Sequence, residues 1–147
     1  MKKTIVITLA LLSANSFAAD NYISKSAAPS RIVVAKVGIA LSQFAMMSFD
    51  FPSDHRFAPK QLKGISWRTT YYPENMNESV QICYTKPGRA NYDDCKDISP
   101  NSSGVMNEFN NDSFDKYARI TFRNEVRGGR NQGDPAGEDS IVVHYSY

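Results

Sequence analysis

Alternation of apolar and polar positions dominates this chain. From Tyr117 to Val126, Ala118, Ile120, Phe122 and Val126 alternate with Arg119, Thr121, Arg123 and Glu125, and only Asn124 is out of step. Successive strand side chains point to opposite faces, so the run predicts a half-buried strand. Ser140 to Tyr147 predicts another, with Ile141, Val143, Tyr145 and Tyr147 on one face and Val142, His144 and Ser146 on the other. Its β-branched and aromatic content fits a pleated surface. Arg31 to Leu41 reads as an earlier strand in which Gly38 marks a bulge or a close backbone approach. Gln43 to Phe51 reads as a strand that is apolar on both sides, suited to core or interface. Ile65 to Tyr72 places the sole tryptophan, Trp67, as a core anchor. Val80–Tyr84, Cys95–Ile98 and Val105–Phe109 complete the set, with turn signals at Pro52–His55, Pro73–Asn77, Pro100–Gly104 and Asn110–Ser113. Strands at roughly 8–12-residue spacing without a helical period predict an all-β fold. The expectation is an antiparallel β-sandwich of about 7–8 strands, or a barrel, formed by residues 31–147 as a single domain.

Between the last two strands lies Arg127 to Asp139, rich in Gly, Asn, Asp and Pro. A structureless loop of about a dozen residues is uncommon in a compact domain and is usually functional or disordered. Gly128, Gly129, Arg130 and Asp134 in this loop therefore form a candidate partner surface. Arg119 and Arg123, which share the outward face of the preceding strand, join it. They could grip a carboxylate, or be met by acids across the sheet.

The N-terminus changes the reading of charge. Lys2 and Lys3, the apolar run Thr4 to Leu12 and the small residues of Ser16-Phe17-Ala18 have the form of a cleavable secretory signal, residues 1–18. Residues 19–30 are polar and small and read as a flexible N-terminal arm. No other apolar run is long enough to span a bilayer. The whole chain carries 17 basic and 15 acidic residues, and the excess is the two signal lysines. A balanced mature chain gives no support for nucleic acid or anionic membranes as partners. Export also bears on Cys83 and Cys95, since oxidising compartments favour pairing. A structural disulfide is the expectation, and a free catalytic thiol its rival.

Chemistry is sparse. His55 and His144 belong to no ligand-spaced cluster, so no metal is expected. Asp134 and Asp139 resemble only loosely a calcium loop. There is no Gly-x-Ser-x-Gly elbow, and Gly128-Gly129 lacks the Lys-Ser/Thr of a phosphate loop. The residues argue for no enzyme, no catalytic group and no cofactor. Tyr71, Tyr72, Tyr84, Tyr92, Tyr145 and Tyr147 could form a platform for a sugar or a partner, or fill the core.

Several patches then line up: Val37-Gly38-Ile39-Ala40-Leu41, Ile65-Ser66-Trp67-Arg68, Val80-Gln81-Ile82-Cys83 with a second Cys downstream, Glu125 to Arg130, and Ile141 to Tyr145. In this order the chain resembles the FlhE family of bacterial flagellar accessory proteins. The resemblance implies a small periplasmic β-sandwich without known enzymatic chemistry. It also implies protein partners among flagellar export or rod components, with a role as chaperone or export-gate seal. The segment between Cys83 and Cys95 is longer than the family's usual one. The alternatives are a secreted carbohydrate-binding or adhesin-like module, and a periplasmic enzyme or enzyme inhibitor presenting the Gly128–Asp139 loop.

Overall fold

The computed structural model describes residues 21–147, so the signal expected at residues 1–18 lies outside the described part. Eleven strands follow in order: β1 (Asn21–Ala27), β2 (Ile32–Val33), β3 (Gly38–Ala45), β4 (Lys60–Arg68), β5 (Ser79–Thr85), β6 (Asp94–Ile98), β7 (Ser103–Met106), β8 (Ser113–Phe114), β9 (Arg119–Val126), β10 (Gln132–Gly133) and β11 (Asp139–Ser146). One sheet runs β1-β11-β4-β7, with β8 also on β4; the other runs β3-β9-β5-β6. All pairings are antiparallel, and β2 with β10 forms a separate ribbon. The fold is the expected all-β sandwich.

Four local expectations need correction. The arm is not free along its length, because Asn21–Ala27 pairs with β11 from Asn21↔Tyr145 to Ala27↔Asp139. The early strand divides into β2 and β3, and β3 continues to Ala45, beyond the expected end at Leu41. The expected Gln43–Phe51 strand leaves the sheet after Ala45 and forms a 3₁₀ turn at Ser48–Asp50. Its two-sided apolarity has a simple cause: Met46 and Phe51 turn into the core while Met47 and Phe49 stay exposed. Finally, the strand expected over Ile65–Tyr72 runs instead from Lys60 to Arg68, through Gly64. Gly64 pairs with His144 and Leu62 with Tyr145, so Lys63 is the extra residue of a bulge.

The inward faces build two apolar clusters. The larger includes Phe44, Leu62, Ile65, Ile82, Tyr84, Phe114, Ile120, Phe122, Val143 and Tyr145; the smaller joins Ile32, Ala40, Tyr72 and Val126. Trp67 packs at the edge of the larger cluster, half-buried, with its ring laid over Gly104 on the neighbouring strand. A polar layer separates the clusters. On β3, Ser42 lies between Ala40 of one and Phe44 of the other; on β9, Asn124 lies between Phe122 and Val126. Asp139, fully buried at the start of β11, accepts hydrogen bonds from Ser42 Oγ at 2.6 Å, Thr69 Oγ1 at 2.9 Å and the Thr70 amide at 2.8 Å. Since Ser42 belongs to the opposite sheet, this carboxylate couples the two layers.

Two core tyrosines predict the alkaline limit of the fold. Tyr72 Oη donates to Ser30 O at 2.6 Å and Tyr84 Oη to Ser113 O at 2.8 Å. Burial, then the Asp139 and Asp112 carboxylates respectively, push both phenols above their ordinary range. In the unfolded chain they ionise near pH 10, while the folded chain holds the protons. Their contribution is therefore intact below about pH 10 and is lost as pH rises toward the folded pKa values. Urea midpoints should hold steady to about pH 9 and fall above pH 10. Tyr84→Phe should flatten part of that fall, and an identical profile for the variant would refute the assignment.

Candidate functional site

The loop between β9 and β11 is held by backbone pairing at several points. Asn75 bridges Gly129, the Met76 amide donates to Gly128 O, and the Arg130 amide donates to Glu74 O at 3.0 Å. Asn75 Nδ2 adds a bond of 2.9 Å to Arg130 O. Further on, Gln132–Gly133 pairs with Ile32–Val33, and the Val34 amide donates to Asn131 O at 2.8 Å. The loop therefore lies on the Pro73–Asn77 turn and the β2 ribbon. Gly129 has φ +83°, and a Cβ there would stand 2.6 Å from Asn75 Cα and Glu74 O. Gly129→Ala should lift the loop from the turn at a cost of about 1–3 kcal/mol. Accelerated hydrogen exchange at the Met76 and Arg130 amides is the readout, and unchanged exchange would contradict it.

This pinning gathers a cleft of about 400 Å³ lined by Arg31, Glu74, Arg130, Asn131, Gln132 and Asp134. Arg31 Nε and Nη2 grip the two Asp134 oxygens at 2.7 and 2.9 Å, and Arg130 pairs with Glu74. The hydrogen bond from Arg31 holds the Asp134 carboxyl below the usual carboxylate range and raises the guanidinium in return. Both pairs are exposed, so they add little to stability. Among the described residues, no three His, Cys, Asp or Glu side chains form a group that could hold a metal.

The structure splits the candidate surface. Arg130 and Asp134 come together at the cleft, while Gly128 and Gly129 lie against the Glu74–Asn77 turn beside it. Arg119 starts β9 about 23 Å from its far end, at about 3.3 Å per residue. Arg119 Nη2 donates to Ala90 O at 2.9 Å and Arg89 O at 3.2 Å, tying down the loop between β5 and β6. Arg123 pairs with Glu125 at 3.0 Å on its own strand, so the acid is two residues along, not across the sheet. The hydrogen bond from Arg127, with that from Arg123, holds Glu125 below the usual carboxylate range. Arg31, Glu74 and Asn75 are not legible in the sequence because pairings over 53–103 positions bring them to the loop. No local period signals such a contact.

Other candidates resolve individually. Cys83 and Cys95 form a disulfide across the β5–β6 pair, and neither is a free thiol. His144 Nε2 lies 3.4 Å from Ser66 Oγ on a neighbouring strand, long for a hydrogen bond. The tyrosines divide between roles. Tyr72, Tyr84 and Tyr145 are core, Tyr147 stacks on His55, and Tyr71 and Tyr92 line different clefts. They build no common platform.

No helix among the described residues is long and apolar enough to cross a membrane. No protein-family model matches the chain, and no curated protein matches it. Among solved structures, the fold is similar to the crystal structure of FLHE, with a TM-score of 0.59 and 14% identity, over 88% of this chain and 100% of that one.

Proposed function

We propose that this chain is a periplasmic accessory protein of the FlhE kind, acting by protein–protein contact in flagellar export or assembly and not by catalysis. The observation that carries the reading is the likeness in fold to FLHE over the whole of that chain. It is joined by the short sequence patches that resemble the same family. The Cys83–Cys95 disulfide suits an exported protein. The exposed ion-pair cleft around Arg130 and Asp134 supplies a polar surface of the sort found at the rims of non-obligate interfaces.

The test combines deletion with a placed crosslinker. A clean deletion should alter motility, flagellar number or the periplasmic pH response. A photo-crosslinking residue at Arg130 should capture a flagellar export or rod component from the periplasm. The same probe at Lys63, exposed on the bulge of β4, should not. Unchanged flagellation together with an empty Arg130 crosslink would remove the reading.

A further inference from the structure

The two sheets leave four edges, and three carry features that discourage a new strand. β6 is charged (Asp94, Lys96, Asp97), β1 carries Lys25, and β7 is only four residues long. β3 differs: its eight residues, Gly-Ile-Ala-Leu-Ser-Gln-Phe-Ala, contain no charge and no proline. Its backbone is also aimed outward at alternate positions. The Met46 amide donates to Ala118 O at 2.9 Å, one step beyond the Ala45↔Arg119 pair. Antiparallel bonding alternates by residue, so Gly38, Ala40, Ser42 and Phe44 bond to β9 while Ile39, Leu41 and Gln43 direct N–H and C=O away from the sheet.

We propose that this edge is a self-association surface, in which two copies pair β3 with β3, antiparallel about Leu41. The four-stranded sheets then merge into one of eight strands. A second copy is favoured over other occupants because the strand is self-complementary. Its N-terminal end presents apolar knobs: Val37, just before the strand, and Ile39 and Leu41 within it are 39%, 49% and 39% exposed. Its second half borders two clefts. One, of about 290 Å³, is lined by Gln43, Ala90, Asn91, Tyr92 and Arg119. The other, of about 420 Å³, is lined by Ala45, Gly88, Arg89, Ala90, Tyr117 and Arg119.

A twofold axis at Leu41 sets Ile39 opposite the second copy's Gln43, and Val37 opposite its Ala45. Each apolar knob therefore meets the cleft half of its twin, and the contact repeats on the other side of the axis, as an isologous interface requires. The near balance of 17 basic and 15 acidic residues leaves little long-range repulsion between copies. A strand seam falls short of the ~1,200 Å² of a standard stable interface, so association is reversible and concentration-dependent.

The experiment uses the exported chain alone, so its outcome is independent of the flagellar reading. Sedimentation velocity from low micromolar to near-millimolar concentration should show a monomer–dimer equilibrium. Leu41→Lys sets two ammonium groups face to face and should weaken it at least about tenfold. If that variant fails to fold, Gln43→Lys on the same edge serves instead. Mild oxidation should couple Leu41→Cys to itself, and should couple Ile39→Cys with Gln43→Cys in a mixture. A chain monomeric throughout, a dimer indifferent to the lysine, or Ile39→Cys coupling to itself as well as Leu41→Cys does would each overturn the proposal.

Discussion

Replacing Cys83 and Cys95 together by alanine is expected to lower stability by about 3 kcal/mol, the chain-entropy value for a loop of this length. The bridge spans 12 positions and joins residues directly opposite on β5 and β6. For a domain of this size the loss corresponds to a fall in Tm of roughly 10 °C. The effect should be unequal across the molecule. β6 is an edge strand held by β5 alone, and the loop before it reaches back over β9 through the Arg119 bonds to Arg89 and Ala90. Without the bridge, the Asp93 amide, which donates to Tyr84 O at 2.9 Å, should lose protection before the amides of β9 and β11 do. Calorimetry of the oxidised chain, the reduced chain and the double variant checks this. A difference below about 1 kcal/mol, or even loss of protection across the second sheet, would count against a structural role.

The sandwich and most of its strands were legible because half-burial writes a period of two into the sequence. β11 follows that rule through Tyr145 and β9 follows it apart from Thr121, which is buried on the other face; β5 follows it only to Ile82, since Cys83, Tyr84 and Thr85 are all buried. Even Asn124, the one residue out of step on β9, belongs to the inward face. β1 was not legible, since Ile23 is its only large inward hydrophobe and Lys25 on the same face pairs with Asp50 at 2.9 Å. Nor could a period report where the chain leaves a sheet. The run after Ala45 stays apolar because Met46 and Phe51 return to the core across a turn. The long loop could be found from its composition, but its attachment could not. Arg31 and Asp134 stand 103 positions apart and meet only because β2 and β10 pair. Arg119 was placed on the correct face and the wrong end, since alternation fixes the side of a sheet and not the neighbourhood along it.

Asp139→Ala is expected to be the most damaging single substitution, costing about 3–5 kcal/mol, a large share of the total of about 5–15 kcal/mol typical of a domain. The carboxylate is sequestered from water, and its removal would strand the Ser42 hydroxyl, the Thr69 hydroxyl and the Thr70 amide together. Each orphaned buried donor costs about 1–3 kcal/mol, moderated where a hydroxyl can rotate to another acceptor, as Thr69 can toward Thr70 O at 3.3 Å. The damage also propagates by position. Asp139 ends the long loop, begins β11 opposite Ala27 of β1, and reaches across to β3, so one side chain registers both sheets and the loop carrying Arg130 and Asp134. Asp139→Asn separates these contributions. Its Oδ1 can still accept from Thr69 and Thr70 while the Ser42 hydroxyl turns to accept from the new amide, so the loss should be about 1–2 kcal/mol. Urea unfolding should rank alanine well below asparagine, with Ser42→Ala milder than alanine at 139. Equal losses for Asp139→Ala and Asp139→Asn would mean that charge, not the pattern of donors, makes this layer hold.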